Sequence, residues 1–571
     1  MIHIDRVVAR ILVAVAVLAL IALPAWSASP GAGTVSSSST QTSWTGGPKL
    51  QSVLTVCGNP NNAKCDNFRL GISDTSGNYK VEITLTPQLL DDYDLEVFGP
   101  GGQLLGTSGN GPGTAEKVTL TNPPAGVYTV SAAPYVATRA YNATAKLTVL
   151  PPPPPPPSSD PAPTYGIYAP PAGVATGAGE PSIGVDEATG VAMYVAGLET
   201  FRVEFQDDAD EPTSFWTDVS APLTSLITLD PILFTDQQTG RTFVSQLLGT
   251  TSLMEYTDDN GISWSPSTGG GIVSGVDHQT VGGGPPSPGG LLQPLTSYPH
   301  MVYYCSQDIA LAMCAASVDG GTTFGLAVPI YTLNQCGGLH GHVKVSPDGT
   351  VYVPNKNCGG EQGAAVSADN GLTWSVRKVP GSSAGSSDPS VGIATDGTVY
   401  FGFSGADGHA YAAVSHDEGQ TWTNLQDVGA SLGIQNIAFP AMVAGDPDRA
   451  AFAFLGTTAG GDATGDDPTF PAVWHLYVAH TYNGGASWVT VDVTPTDPVQ
   501  RSTICMSGTT CGTTRNLLDF MGATVDAEGR VLVGYADGCV GACVTGGANT
   551  FASDARIARQ ASGKGLYAAF D

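Results

Sequence analysis

The chain has 571 residues with 73 glycines and 42 prolines, and only 13% of its residues are charged. This composition favours many short strands joined by turns over one large core, so we expect an all-β protein. The formal net charge of −28 argues against nucleic acid and anionic membrane surfaces as partners, because phosphate binding needs clustered Lys and Arg.

The first 28 residues have the pattern of a secretory signal peptide. Arg6 and Arg10 precede an apolar run from Ile11 to Leu23, and a short stretch ending at Ala28 follows it. The run is too short for a comfortable membrane span, which leaves an uncleaved anchor as the minor alternative. No second segment of this kind follows, so we expect a secreted, soluble monomer with no membrane span after signal cleavage.

Ten cysteines, an even number, fit an extracellular compartment in which disulfides persist. No Cys-x-x-Cys knuckle that would indicate a thiolate metal site occurs. The cysteines fall as sequence neighbours, and proximity alone suggests local disulfides. The predicted pairs are Cys57 with Cys65, Cys305 with Cys314, Cys336 with Cys358, Cys505 with Cys511, and Cys539 with Cys543.

Two segments with different compositions follow the signal peptide. Residues 29–47 are rich in Ser, Thr and Gly, which predicts a disordered spacer. Residues 48–150 contain short alternating runs, such as 81–85 and 117–120, separated by turn signals. This second segment predicts a small β domain.

Most of the 48–150 segment resembles the bacterial pre-peptidase C-terminal domain. The stretches that carry the resemblance are 91–95, 99–102 and 125–128. The resemblance implies a jelly-roll-like β-sandwich that accompanies secreted enzymes and assists binding or secretion. Asp91, Asp92 and Asp94 offer the carboxylate oxygens that Ca²⁺ prefers, so calcium is the one cofactor that the sequence suggests. The alternative is that these three residues are solvated turn carboxylates.

Seven consecutive prolines, Pro151 to Pro157, predict a stiff polyproline II segment. Residues 151–164 are therefore the expected linker, and residues 165–571 the expected second domain. Such a linker holds two domains apart, so a functional site is expected inside one of them.

A unit of two short strands joined by a turn recurs within the second domain. From Pro181 to Pro231, and from Pro389 to Pro440, the repeat is about 50 residues, the length of a four-stranded propeller blade. Seven units predict seven blades, with six as the alternative. The units begin at Pro181, Pro231, Gln279, His342, Pro389, Pro440 and Gly522.

An octapeptide with an Asp or Asn, a glycine and a final aromatic residue occurs five times in the same region. The Asp or Asn oxygen can accept hydrogen bonds within a tight turn, the glycine supplies a positive φ, and the aromatic ring packs beside the next strand. The copies are 257–264, 317–324, 367–374, 415–422 and 481–488, with Asp259, Asp319, Asp369, Asp417 and Asn483 at the shared position.

The octapeptides resemble the Asp-box, or bacterial neuraminidase repeat, of the sialidase-like β-propellers. The resemblance implies that each box joins the third and fourth strands of a blade on the face away from the ligand site. We therefore interpret the boxes as structural. In such propellers the innermost strand of each blade begins at the ligand-binding face.

The residues just before the predicted innermost strands line the mouth of the central channel in such propellers, and most of them are ionisable here. Carboxylates and imidazoles gathered there can serve as general acid and base, hold a divalent cation or bind sugar hydroxyls. The structural alternative is that each carboxylate only bonds backbone N–H groups of the next blade. The candidate catalytic residues are Glu180, Asp230 and Asp388. The candidate ligand-binding residues are His278, Tyr298, His340, His342, Phe439, Arg515 and Asp519.

The resemblance does not extend to the sialidase substrate clamp. Sialidases of this superfamily hold the substrate carboxylate with three arginines, the first of them in an Arg-Ile-Pro motif. The corresponding stretch here is Gly179-Glu180-Pro181, and a Glu at that place repels a carboxylate. Only Arg501 and Arg515 lie in a loop leading to a predicted innermost strand, so the sequence argues against a strict sialidase.

Three functions remain open from the sequence. We expect recognition of an extracellular glycan or glycoprotein at the channel mouth. A glycoside hydrolase, exo-sialidase-like or using two mouth carboxylates roughly 5–10 Å apart, is the second hypothesis. A non-catalytic structural or protein-interaction surface protein is the third, because function is grafted onto propellers through their loops.

Overall fold

The computed structural model describes residues 28–49, 56–73, 79–88, 90–150, 158–207, 213–228, 230–248, 251–270, 277–308 and 311–571. The predicted signal peptide up to residue 27 and prolines 151–157 of the predicted linker lie outside these residues. The chain divides into two compact units, one ending at Pro152 and the other starting at Pro153.

Strands dominate both units. The helical elements within the described ranges are four 3-10 helices of three residues each, none of which has the length to cross a bilayer. They are η1 (Ala430–Leu432), η2 (Gly508–Thr510), η3 (Gly541–Cys543) and η4 (Ala568–Phe570).

The first unit contains two sheets. Its strands are β1 (Ala32–Val35), β2 (Gln41–Gly46), β3 (Asp66–Ile72), β4 (Tyr79–Thr86), β5 (Asp92–Phe98), β6 (Leu104–Ser108), β7 (Glu116–Thr121), β8 (Gly126–Val136) and β9 (Tyr141–Val149). One sheet has the order β1-β3-β8-β5-β6 and the other β2-β9-β4-β7. Strand β4 alternates buried and half-buried residues, as expected for a strand with one face on a core.

Residues 29–47 belong to this first unit, so the predicted disordered spacer needs correction. Strand β1 pairs in parallel with β3, and β2 pairs antiparallel with β9. The segment is anchored by Val35 and Trp44, both buried, and the Trp44 ring stacks on Phe68 with centroids 3.8 Å apart. The burial of these two apolar side chains thus outweighs the polar composition of the segment.

The second unit contains seven four-stranded sheets. The first three comprise β11 (Ser182–Val185), β12 (Ala192–Ala196), β13 (Glu199–Gln206), β14 (Thr213–Asp218); β15 (Pro231–Thr235), β16 (Thr242–Leu248), β17 (Thr251–Thr257), β18 (Ser265–Ser267); and β19 (Asp277–Gly284), β20 (Met301–Gln307), β21 (Ala312–Ser317), β22 (Val328–Pro329).

The next three comprise β23 (Lys344–Val345), β24 (Val351–Cys358), β25 (Glu361–Ser367), β26 (Ser375–Lys378); β27 (Ser390–Ile393), β28 (Val399–Ser404), β29 (Ala410–Ser415), β30 (Thr423–Asp427); and β31 (Asn436–Ala444), β32 (Ala450–Thr457), β33 (Val473–Thr481), β34 (Val489–Asp492). A short β35 (Gln500–Arg501) adds to β33. The last sheet combines β10 (Thr164–Tyr168) with β36 (Gly522–Val525), β37 (Val531–Asp537) and β38 (Asp554–Ser562), in the order β10-β38-β37-β36.

The sheets are arranged in a ring. The innermost strands β11, β15, β19, β23, β27, β31 and β36 contact one another in this order, and β36 also contacts β11. The chain closes the ring in its last sheet, where β10 pairs antiparallel with β38. All seven innermost strands therefore surround one axis and begin on the same side.

The five octapeptides form tight turns between the third and fourth strands of their sheets, and residues 367–374 show the pattern. Asp369 Oδ1 accepts hydrogen bonds from Thr373 N at 2.8 Å and Ser367 Oγ at 2.8 Å, and Oδ2 accepts one from Thr373 Oγ1 at 2.6 Å. Gly371 has φ 82° and donates its N–H to Ser367 Oγ at 3.0 Å. The turn thus satisfies its own polar groups.

In the octapeptide 481–488, which has asparagine in place of aspartate, the same pairs of residues are hydrogen-bonded, but the amide rather than the hydroxyl is the donor in one bond. Asn483 Oδ1 accepts a hydrogen bond from Ser487 N at 2.9 Å, while Asn483 Nδ2 donates to Ser487 Oγ at 2.8 Å. An amide therefore replaces the carboxylate without loss of a bond, because the serine hydroxyl can accept as well as donate.

This equivalence leads to a first prediction. Replacement of Asp369 by Ala should lower the free energy of unfolding of the second unit by about 1–2 kcal/mol, since several turn bonds are lost. Asp369→Asn, the matched control, should cost less than half as much. Urea unfolding of the three proteins measures both effects, and equal losses in the two variants would contradict the interpretation.

All five predicted disulfides are present and no cysteine of the described residues is free. Their sequence separations are between 4 and 22 residues. The prediction of local pairing from proximity is therefore confirmed.

Candidate functional site

The innermost strands bring together most of the predicted site residues. Since each of these strands begins on the same side of the ring, a residue just before or at its start lies at one end of the axis, which we call the mouth. The residues placed there are Glu180, Asp230, His278, His340, His342, Asp388, Phe439, Arg515 and Asp519.

An axial cavity of about 230 Å³ lies between the innermost strands and is lined by residues of all seven innermost strands or the residues just before them. The ionisable side chains in its lining are His278, His342, Lys344, Asp388 and Asp519. Phe439 and Phe520 also line it, so the wall combines charged groups with two aromatic rings.

A group of carboxyls lies on one side of the mouth. Glu180 is 3% exposed, and its burial, together with the nearby carboxylates of Asp230 and Asp519, holds the pKa of Glu180 well above its ordinary value. Burial beside these two carboxylates therefore favours the protonated form of Glu180.

The other two carboxyls of this group have different surroundings. Burial would raise the pKa of Asp519, but Arg515, whose Nη2 lies 2.7 Å from Asp519 Oδ2, holds that pKa below its ordinary value. Burial raises the pKa of Asp230 to about 6, although His278 and the Gln279 N–H, 2.9 Å from Asp230 Oδ2, favour its charged form. In this group Asp519 thus favours its ionised form and Glu180 its protonated form, while the pKa of Asp230 is about 6.

Asp388 is the centre of a second, cationic group. Its Oδ2 lies 3.0 Å from His278 Nε2, and its Oδ1 lies 3.0 Å from Lys356 Nζ. Burial would raise the pKa of Asp388, but these two cations outweigh it and lower that pKa. Burial would likewise lower the pKa of His278, but Asp388 raises it to about 9, so His278 is an imidazolium at neutral pH.

Two neutral histidines stand next to the charged one. His340 shares a hydrogen bond of 2.9 Å between its Nδ1 and the carbonyl of Gly341, and burial followed by the His278 charge lowers the pKa of His340 to about 4. Burial and the Lys344 charge lower the pKa of His342 to about 3. The residue between them must be small, because a Cβ on Gly341 would lie 1.9 Å from the Pro389 carbonyl oxygen.

Backbone strain is concentrated at the same mouth. His278 has φ 49° and Phe439 has φ 59°, a left-handed conformation that non-glycine residues rarely adopt. At Phe439 the pairing of β31 with β32 also shifts register. The strain turns both side chains toward the axis, and strained residues of this kind cluster at functional sites.

Tyr298 is not brought to the mouth. It precedes β20, at the other end of the axis, where its hydroxyl donates to Asp236 Oδ2 at 2.5 Å. His300 Nδ1 lies 2.6 Å from the same oxygen. Tyr298 was grouped with the ligand-binding residues because it precedes a strand, but this strand is the second of its sheet and runs back toward the mouth.

The three aspartates of the suggested calcium site do not converge. Asp91 Oδ1 accepts hydrogen bonds from Thr138 N at 2.6 Å and Thr138 Oγ1 at 2.7 Å, so it fastens a neighbouring loop. Asp92 and Asp94 lie on β5, and burial raises the pKa of Asp94 to about 6. Throughout the described ranges, no group of three or more His, Cys, Asp or Glu side chains has an arrangement that could hold a metal ion.

The four disulfides of the second unit flank the mouth. Cys305 and Cys314 face each other on β20 and β21, and Cys358 at the end of β24 reaches back to Cys336. Cys505–Cys511 and Cys539–Cys543 fasten the loops that follow β34 and β37. Second and fourth strands of each sheet end on the mouth side, so these bonds fix the loops around the cavity.

Sequence reasoning missed Lys344 and Lys356. Lys344 lies two residues after His342 on the same strand, so the alternation of side chains along a strand could have placed it at the axis. Lys356 lies near the end of β24, and nothing in the local sequence connects it with Asp388.

The chain matches no known protein-family model and none of the curated proteins. Several solved structures match it at low sequence identity. The Hadza microbial sialidase Hz136 is 12% identical, over 90% of this chain and 98% of that chain, with a TM-score of 0.36. A PL25 ulvan lyase is 9% identical, over 67% of this chain and 93% of that chain, with a TM-score of 0.37.

A fungal lectin from Aleuria aurantia, described as a six-bladed β-propeller that recognises fucose, is 13% identical over 57% of this chain and 95% of that chain, with a TM-score of 0.33. The structures that this chain is similar to thus include a sialidase, a polysaccharide lyase and a lectin. Identities this low supply neither a site residue nor an activity to this chain.

Proposed function

We propose that this chain is a secreted, seven-bladed β-propeller of the sialidase-like superfamily that binds an extracellular glycan or glycoprotein at the mouth of its axial cavity. The first unit, over residues 28–150, is a β-sandwich of the pre-peptidase C-terminal type, and residues 151–164 link the two. The observation that carries the proposal is the convergence of carboxyl, imidazole and aromatic side chains from separate sheets on one cavity.

The cavity suits a sugar in size and chemistry. A volume of about 230 Å³ holds roughly one or two sugar rings rather than a folded partner. His342 and Asp388 can bond hydroxyl groups, and Phe520, whose ring centroid is 4.5 Å from that of His342, offers an apolar face to a sugar ring.

Five disulfides support a location of the protein outside the cytoplasm, because disulfides persist in oxidising compartments. The segment that carries the predicted signal, residues 1–27, lies outside the described residues. Secretion therefore rests on the sequence pattern and on the disulfides together.

A glycoside hydrolase is the second candidate, supported by the different charge states at the mouth. Protonated Glu180 is a suitable general acid, and Asp388 stays ionised. Glu180 is coupled electrostatically to Asp230 and Asp519, so its proton belongs to a group of three carboxyls rather than to a separate acid and base. We therefore favour recognition over hydrolysis.

The test is a glycan array probed with the mature protein and with His342→Ala. The variant should bind the selected glycan at least about tenfold more weakly, because a cavity-lining imidazole is lost. His416→Ala, which removes an imidazole in the octapeptide turn 415–422, is the matched control and should bind like the unmodified protein. Incubation with the bound glycan shows whether it is also cleaved.

Two results would overturn the proposal. One is a folded protein that binds no glycan on the array. The other is binding that both histidine variants retain equally, which would place the ligand away from the mouth.

A further inference from the structure

Lys344 is the cation of the axial cavity that has no carboxylate partner. It is the first residue of β23 and lines the cavity beside His342. No carboxylate within the described ranges forms an ion pair with it, and burial lowers the pKa of Lys344 with no anion opposing the shift. Lys344 is half-buried, and an ammonium in a cavity wall without a counter-charge is stabilised when a ligand supplies one.

The carboxylates of the cavity are already neutralised. Asp519 pairs with Arg515, and Asp388 is shared by His278 and Lys356. Three other acidic residues lie at the mouth. Glu180 favours its protonated form, Asp230 interacts electrostatically with His278, and the exposed Asp277 interacts with Arg515. By formal charge, the cations His278, Lys344, Lys356 and Arg515 balance Asp388, Asp519, Asp230 and Asp277, and Lys344 is the cation of this set that no carboxylate of the described ranges pairs with.

Ser182 supplies a second, independent observation. It is the first residue of β11, which lies opposite β23 in the ring, and it lines the same cavity. Ser182 is 3% exposed and its Oγ has no hydrogen-bond partner among the described residues. Buried hydroxyls nearly always have a partner, so an unpaired one in a cavity wall is available to bond a ligand atom.

We infer that the axial cavity binds one oxyanionic group of its ligand, a carboxylate or a sulfate ester, through the Lys344 ammonium and the Ser182 hydroxyl. The inference rests on the proposed glycan recognition and narrows it to acidic glycans. The ammonium supplies the counter-charge and the hydroxyl donates one hydrogen bond. This anion site differs from an arginine cluster, because the lysine ammonium acts as a point charge and does not form the bidentate hydrogen bonds of a guanidinium.

The test compares sugars that differ only in charge. Calorimetric titrations use methyl β-D-glucuronide, the 6-sulfate of methyl β-D-glucoside, and uncharged methyl β-D-glucoside. We expect one of the two anionic sugars to bind at least about tenfold more tightly than the uncharged one, and its identity distinguishes carboxylate from sulfate recognition.

Three variants locate the binding site. Lys344→Met keeps the length of the side chain and should reduce the affinity for the anionic sugar to that for the uncharged one. Ser182→Ala should weaken anion binding by a smaller factor. Lys378→Met, which removes an exposed lysine on β26, is the matched control and should leave all affinities unchanged. The melting temperature of each unliganded variant verifies that it is folded.

The outcomes separate this inference from the proposed function. Equal binding of charged and uncharged sugars, or anion binding that Lys344→Met retains, overturns the anion site and leaves glycan recognition intact. If sulfate ion raises the melting temperature of the unmodified protein but not of Lys344→Met, while no sugar binds, the anion site holds and glycan recognition fails.

Discussion

Replacement of Asp388 by alanine is expected to lower the free energy of unfolding of the second unit by about 3–5 kcal/mol. Asp388 is 8% exposed and neutralises both His278 and Lys356. Its removal leaves the buried His278 and the half-buried Lys356 without this counter-charge, and their mutual repulsion adds to the loss of the ion pairs.

Denaturant unfolding followed by tryptophan fluorescence measures the loss. Glu361→Ala is the matched control, because Glu361 pairs with Lys378 at 3.7 Å on the surface, and an exposed pair of this kind contributes less than about 1 kcal/mol. A loss in Asp388→Ala no larger than in the control would show that the cations at the mouth find other partners.

The stability of the second unit should fall as the pH rises from 7 to 9. Burial with Asp230 and Asp519 raises the pKa of Glu180 far above its value in the unfolded chain, and Asp388 raises that of His278 to about 9 against burial. In this window the folded state holds protons that the unfolded state has released, so unfolding becomes more favourable with rising pH. His340 and His342 do not contribute, since both are neutral in either state above pH 7.

The Glu180→Gln variant isolates the contribution of one proton. The amide cannot ionise but can donate to Asp230 and Asp519, so the slope of unfolding free energy against pH should be less steep by up to about 1.4 kcal/mol per pH unit. The variant should be at least as stable as the unmodified protein at pH 9. A slope that Glu180→Gln does not change would mean that Glu180 is already ionised at pH 7.

The repeated architecture could be predicted from the sequence, because each sheet repeats the same local signals. Five octapeptides and the recurring strand pairs mark turns whose geometry is determined within a few residues, such as the bonds around Asp369. The same regularity predicted the residues at the mouth. Where every innermost strand starts on one side, the residue before it, such as Glu180 or Asp388, is placed by the repeat alone.

Contacts between repeats could not be predicted in this way. Lys356 lies on a second strand, and its ion pair with Asp388 depends on how two neighbouring sheets meet. The pairing of β1 with β3 depends on two buried side chains in a segment of polar composition. Tyr298 was misplaced for a related reason, because a strand start indicates the mouth only for the innermost strand of a sheet.

The closure of the ring by β10 and β38 has a consequence for how the protein is made. Thr164 and Ser562, whose hydroxyls bond across these strands, are 398 residues apart in the sequence. The first strand of the second unit, β10, therefore stays unpaired with β38 until almost all of the polypeptide has emerged. A contact between residues so far apart in sequence has a high loop-closure cost. Premature termination anywhere before β38 should yield an open, aggregation-prone product, so translation errors near the 3′ end of the message are as damaging as early ones.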